Sequence, residues 1–336
     1  MVSLPEYVPA INLLRGDVVD QRFFAIAALY DFSNDMPVKV SAIGSDNNYP
    51  FFLRSLLKPI QASIIADYGT AEYYNFSKSE IAIMQASHCG EKLHNALVLS
   101  ILNKAGLNES KLLCPAIAAL SPDAPVCEQN LSPVFNNCSG KHAMMLAVSK
   151  QLDFPVENYN NVNHPVQKLV FNKICSLSGY NNPPQTYDGC TLPVWALPFN
   201  AIAKAFFRLY NDTKYRFLKD AYCFDPYIIG GKDSVGFRQD TLIMKLNPNL
   251  ISKTGAGGFL SIYNMLKKQF MIIKMAQDNN KVRFLFAAKL LEALGWLNPA
   301  GIEILDKNLC KNLFDYNFYD ESGCIVGLYK VSEMLS

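Results

Sequence analysis

The sequence predicts an α+β fold in which an antiparallel sheet is built from both chain termini and flanked by helices, around a mainly helical insert. Two observations predict it. Apolar runs of strand length, closed by turn residues, stand near both ends of the chain. Segments with helical periodicity and cap signals occupy the middle. The sheet subdomain is expected at about residues 1–50 and 216–336, and the helical subdomain at about 51–215, within a single domain of 336 residues. A chain of this length is one large domain or two intimate ones.

Residues 22–30 form a short apolar run closed by Ser33-Asn34-Asp35, and residues 38–43 then alternate, so the two predict a hairpin. A helix is expected to begin close to Ser55, because Pro59 fits only its first turn and plausible helix continues to Ala66. Ser77 followed by Glu80 three places on is a capping box, opening a helix that carries Ile81 and Met84 and ends near Ser87. Residues 91–104, stopped by Gly106, read as the next helix, with Leu93, Leu97 and Ile101 on one stripe. Helices follow at 141–152 after the Ser139-Gly140 turn, at 165–175 behind Pro165, and at 202–210. The tail returns to β, with paired strands at 259–263 and 270–275, a helix at 281–294 and a last edge strand at 325–329. No internal repeat or low-complexity linker interrupts this order.

Half of the residues are hydrophobic and 18% are charged, so a substantial core is available. The formal charge of +2 comes from 31 basic and 29 acidic residues that are well mixed. The lack of a polybasic block argues against nucleic acid as a partner. No apolar run reaches the roughly 20 residues that span a bilayer. The first residues lack the basic and apolar regions of a signal peptide, which predicts a cytoplasmic protein. Nine cysteines at irregular spacing, without Cys-x-x-Cys, argue against a disulfide framework.

Chemistry-bearing residues cluster in five places. Ser55-Leu56-Leu57-Lys58 puts a hydroxyl and an amine one helical turn apart, at a helix start where free N–H groups could stabilise an oxyanion. With the distal Lys253-Thr254-Gly255, it forms the motif pair of serine acyl-enzymes of the β-lactamase type. Alone the first motif is weak, since a chain of this length meets Ser-x-x-Lys about once by accident. Ser87, in Ala86-Ser87-His88-Cys89-Gly90-Glu91, reads either as a polar hinge or as a second serine with Lys253 as its proton acceptor. Lys253 to Gly258 reads as a glycine-rich turn entering a strand, without the order of a phosphate loop. Cys138, in Asn137-Cys138-Ser139-Gly140-Lys141-His142, and Cys190, in Asp188-Gly189-Cys190, are either ordinary buried thiols or, with a nearby amine and imidazole, a site suited to zinc. His94 and His164 read as a helix-face residue and a cap neighbour.

Taken together and in this order, these motifs resemble the thermolabile, Rhizobium etli-type L-asparaginases, also called class 3 or the asparaginase II family, from about residue 10 to the C-terminus. The resemblance implies a fold similar to serine β-lactamases and glutaminases, with two Ser–Lys pairs, Ser55 with Lys58 and Ser87 with Lys253. It implies Zn2+ held by Cys138, Lys141 and Cys190, with Asp188 close by, and a homodimer. Arg54, His88, Asp188 and Gly255 are the expected substrate-binding residues. A lysine ligand binds metal as the neutral amine, so metal and proton compete there. The sequence departs from the family pattern in having Cys89 where a serine is usual and Gly257 where a glutamate is usual. It also lacks the usual histidine before Arg15-Gly16 and has a lengthened segment from Gly230-Gly231 to Asp240-Thr241.

The implied reaction is hydrolysis of L-asparagine to aspartate and ammonia through an acyl-enzyme. Lysine has a reference pKa of about 10.4, and crowding with desolvation is expected to favour the neutral amine a base requires. Two rivals stand beside this reading. One is a penicillin-binding or β-lactamase-like enzyme acting on another amide, although no Ser-Asp-Asn triplet occupies the place of its second motif. The other is a non-catalytic zinc-thiolate protein.

Overall fold

The computed structural model describes residues 3–121, 131–234, 236–297 and 316–332. The chain clusters into two compact units, Met1–Tyr49 with Leu246–Ser336, and Pro50–Lys245.

The first unit contains an eight-stranded antiparallel sheet among the described residues. Its order is Asn317–Tyr319, Ile325–Val331, Val8–Arg15, Val18–Asp31, Gln269–Met275, Phe259–Asn264 and Leu250–Gly255. Val38–Ile43 pairs with the far half of Val18–Asp31, so that one long strand serves two partners along one edge. The expected hairpin is this pairing, with Ala27 opposite Ile43 and Asp31 opposite Val38. The expected pairing of 259–263 with 270–275 is also present, in the register Phe259 to Lys274. The final strand is not an edge: Ile325–Val331 lies between Val8–Arg15 and Asn317–Tyr319. Pro9 lies in Val8–Arg15 at a register shift, the kind of place where a strand admits proline. Leu250–Gly255 is a fully buried strand that absorbs Lys253-Thr254-Gly255. The glycine turn is confined to Gly257 and Gly258, at φ +80° and +83°. The helix Asn280–Ala293 is capped by Asn279, whose side chain accepts from the Val282 N–H. Leu290 and Ala293 face Ala27, Ala28 and Met271 of the sheet across a small apolar cavity.

The second unit is mainly helical. Lys78–Gln85 packs against Ser139–Gln151, Lys92–Lys104 and Arg216–Phe224. Its capping box forms as expected, with Ser77 Oγ accepting from the Glu80 N–H and Glu80 Oε2 accepting from the Ser77 N–H. Lys92–Lys104 buries His94, Val98, Ile101 and Leu102. The stripe through Leu93 and Leu97 is therefore displaced, and Leu93 is exposed. Residues 216–245 cluster with the helical unit rather than with the sheet. Leu218, Ala221 and Tyr222 are buried at helical spacing, so the local pattern there is helical after all.

Two close approaches position the chemistry. Phe51–Phe52 pairs with Pro193–Leu197, which pairs with Gln185–Tyr187, bringing residues 53–55 beside the turn after Tyr187. At Gly140, in the first turn of Ser139–Gln151, an added Cβ would lie 2.2 Å from the Ile83 carbonyl oxygen. Among the described residues, no helix is long and apolar enough to cross a membrane.

Candidate active site

Ser55 does not open an α-helix. Arg54–Leu57 is a 3-10 turn, followed by the α-helical Lys58–Ala62 and a second 3-10 turn, Ser63–Ala66. Proline explains the tight start. Pro59 has no N–H to offer the Ser55 carbonyl four residues back, and that carbonyl takes the Lys58 N–H instead. Arg54 opens this turn at φ +49°, a left-handed conformation costing a non-glycine residue about 1 kcal/mol. Its Nε donates to Asp188 Oδ1 at 2.8 Å, which ties the Ser55 turn to the Cys190 turn.

Lys58 is fully buried. Its Nζ donates to the Ala86 carbonyl at 2.7 Å, to the Asn137 carbonyl at 2.7 Å and to Ser87 Oγ at 3.0 Å. An unsatisfied buried ammonium costs several kcal/mol, and these acceptors relieve that cost. The hydroxyl among these partners belongs to Ser87, not to Ser55. Lys58 therefore gathers three separate stretches: its own turn, the Ser87 junction and the turn before Cys138.

Ser87 lies just past Lys78–Gln85, where Ala86 turns extended at ψ 160°. Its N–H donates to the Ile229 carbonyl at 3.0 Å. His88 is completely buried, and burial, reinforced by the neighbouring His94, Lys58 and Arg238, holds its pKa well below the usual histidine value. The Gly90 N–H donates to His88 Nδ1 at 3.2 Å, and His88 Nε2 lies 3.0 Å from Ser139 Oγ. Both ring nitrogens are thus engaged within the protein. Cys89, at the position where the sequence departs from the family pattern, donates its thiol to the Gly230 carbonyl at 2.8 Å, and burial raises its pKa to about 12.

Cys138 immediately precedes Ser139–Gln151, its N–H held by Asn136 Oδ1 at 3.0 Å. Cys190 sits in a turn closed by the Thr191 N–H on the Asp188 carbonyl and the Asp188 N–H on the Leu192 carbonyl. Thr191 has φ +75°, an outlier for a β-branched residue. Lys141 Nζ donates to Cys190 Sγ at 3.3 Å. The Cys138 thiol hydrogen-bonds Cys190, which lowers the Cys190 pKa against burial, with Lys141 adding to the effect. The same bond, together with burial, raises that of Cys138. Burial opposes the Lys141 charge, but Cys190, Cys138 and Asp188 outweigh it and hold its pKa above the usual lysine value. Burial likewise opposes ionisation of Asp188, yet Lys141 and Arg54 keep it below the usual carboxylate value. Two sulfurs and an amine so converge in a buried site, a donor set that fits a thiolate-bound zinc with an open position. Among the described residues, no three His, Cys, Asp or Glu side chains are arranged to hold a metal, so a site here needs the lysine. His142 is turned elsewhere, with Nδ1 2.6 Å from the Tyr159 hydroxyl. A cavity of ≈ 480 Å³, lined by Asn158, Asn160, Asn161, Tyr187, Asp188 and Thr191, flanks the Cys190 turn.

Lys253 and Gly255 belong to the sheet unit. Lys253 is buried opposite Ser261, and its Nζ donates to the Thr254 carbonyl at 2.9 Å. Seven described cysteines, Cys89, Cys114, Cys138, Cys175, Cys190, Cys223 and Cys324, are free thiols, while Cys127 and Cys310 lie outside the described residues. Sequence reasoning missed Ser139 and the Ala86 and Asn137 carbonyls. A backbone acceptor leaves no mark in residue identity; the Ser139-Gly140 pair did mark the turn.

The chain thus combines an antiparallel sheet drawn from both termini with a buried lysine amine beside a serine hydroxyl. The L-asparaginase II family model matches residues 11–317, and the chain belongs to that family of asparaginase-type amidohydrolases. Comparison with curated protein sequences finds no match. Among solved structures, a beta-lactamase from Mycobacterium bovis is similar over 85% of this chain and 95% of its own, at 12% identity and a TM-score of 0.40.

Proposed function

We propose that the protein is a Rhizobium etli-type, class 3 L-asparaginase that hydrolyses L-asparagine to L-aspartate and ammonia through a serine acyl-enzyme. The observation that carries this reading is the buried Lys58 amine, 3.0 Å from Ser87 Oγ and three residues after Ser55. As a neutral amine, Lys58 keeps two N–H groups on the Ala86 and Asn137 carbonyls and has its lone pair for a hydroxyl proton. Ser55 attacks the side-chain amide, and Lys58 receives the Ser55 proton. Ser87, hydrogen-bonded to Lys58, passes a proton to the departing ammonia. Water then attacks the ester, and the same groups return the protons. In this reading Lys253 is the lysine assigned to Ser87, as the family motifs imply.

Cys138, Lys141 and Cys190 would hold zinc, whose Lewis acidity is quenched by thiolates and which would fix the α-groups of the substrate. Asp188, Arg54 and Gly255 orient the substrate. A cytoplasmic homodimer is part of the same reading. The test is ammonia release from asparagine and glutamine, with and without chelator, alongside metal analysis. Loss of ammonia release in Ser55→Ala is expected. Full activity of that variant, or background activity of the intact chain on asparagine, would sink the reading.

A further inference from the structure

His88 is expected from sequence to touch substrate, but its ring is enclosed and both nitrogens are committed to the protein. The Ser139 hydroxyl donates its own hydrogen to the Val134 carbonyl at 2.8 Å. Oγ of Ser139 must therefore accept, and His88 Nε2 must carry the hydrogen that it receives. Nδ1 accepts from the Gly90 N–H, which completes a neutral ring in a single tautomer. The ring is also stacked on His94 at 5.1 Å between centroids, and His94 stacks in turn on Tyr227.

The His88–Ser139 hydrogen bond closes a circuit. Lys58 Nζ reaches Ser87 Oγ on one side and the Asn137 carbonyl on the other. The residue after Ser87 is His88, and Ser139 lies two residues after Asn137. We propose that His88 is a positioning residue, which sets the separation of the two acceptors around Lys58 Nζ by clamping the Ser87 junction to the Cys138–Ser139 turn. It acts through Ser87 and Lys58 without contacting substrate. This inference rests on the asparaginase reading for its kinetic arm only.

Two side chains divide the work of the imidazole. In His88→Asn the amide oxygen reproduces the Nδ1 acceptor but falls short of Ser139. In His88→Gln the amide nitrogen reproduces the Nε2 donor. Misplacement of a reacting group by about 1 Å costs up to about 10²-fold. The expected result is a kcat about tenfold or more below wild type in His88→Asn, with KM little changed, and recovery to within a few-fold in His88→Gln. Adding Ser139→Ala to His88→Gln should cancel the recovery. In parallel, ¹⁵N NMR of histidine-labelled wild-type protein should show His88 protonated on Nε2 alone, and Ser139→Ala should shift that signal. Equal damage from Asn and Gln, or a change in KM at constant kcat, would overturn the proposal. So would an Nδ1–H or doubly protonated ring. Absence of ammonia release by the wild type would defeat the asparaginase reading and leave the NMR arm to decide the clamp.

Discussion

Lys58 and Lys141 are both buried in the helical unit, but their surroundings differ in chemical character. Lys141 faces Cys190 at 3.3 Å with Cys138 and Asp188 nearby, and these acidic groups hold its proton. Lys58 donates to two main-chain carbonyls and one hydroxyl, which accept from an amine whether or not it carries a third proton. Burial alone therefore does not define a lysine base. In the proposed mechanism, the character of the acceptors decides whether the amine would exchange a proton with a hydroxyl or release it to a metal.

The widest separation should appear at Lys58. Lys58→Met should lower asparagine turnover by about 10²–10⁴-fold, the usual contribution of a general base. It should also destabilise the fold by about 1–3 kcal/mol for each carbonyl left bare. Turnover within tenfold of wild type, measured as ammonia, would break the comparison. Lys141→Met should act on metal first: bound zinc per chain should fall sharply, with turnover lower by about 10–100-fold. Stoichiometric zinc in that variant would remove Lys141 from the ligand set.

The smallest effect calibrates a third lysine. Lys104, partly exposed, donates to Glu80 Oε2 at 2.7 Å, and Ser100 donates to Oε1 at 2.7 Å. Burial raises the Glu80 pKa, but bonds from Lys104, Ser77 and Ser100 outweigh it and leave the pKa below its ordinary 4.5. A lowered carboxylate pKa contributes stability above the unfolded value, lost as pH falls through the folded one. Glu80→Gln should therefore cost about 1 kcal/mol at neutral pH. The difference in urea midpoint from wild type should close as the medium is acidified below the ordinary glutamate value. A constant gap across that range would show that the charge is not what matters.

The parts of the molecule that were legible in the sequence are those where local chemistry decides. Ser77 and Glu80 announced a cap because the cap is made of those two side chains. The 38–43 hairpin announced itself through alternation and a turn. Where a distant partner decides, the reading slipped. Leu93 looked like core until Val98 and Leu102 took that face, and Lys253-Thr254-Gly255 looked like a turn until Phe259–Asn264 paired with it. The site divides in the same way. Ser55, Lys58, Ser87, Cys138 and Cys190 stand out by residue type. That Lys58 reaches Ser87 depends on how two helices meet, which no spacing along the chain encodes.

Another such meeting, between Lys78–Gln85 and Ser139–Gln151, is the contact at Gly140, where the Ile83 oxygen occupies the space any methyl would need. Two backbones resting directly on one another form a hard stop: thermal rattling of side chains cannot widen the gap, and no rotamer change can absorb a blow. A single methyl at position 140 would act as a wedge, prising the thiol end of one helix from the hydroxyl end of the other.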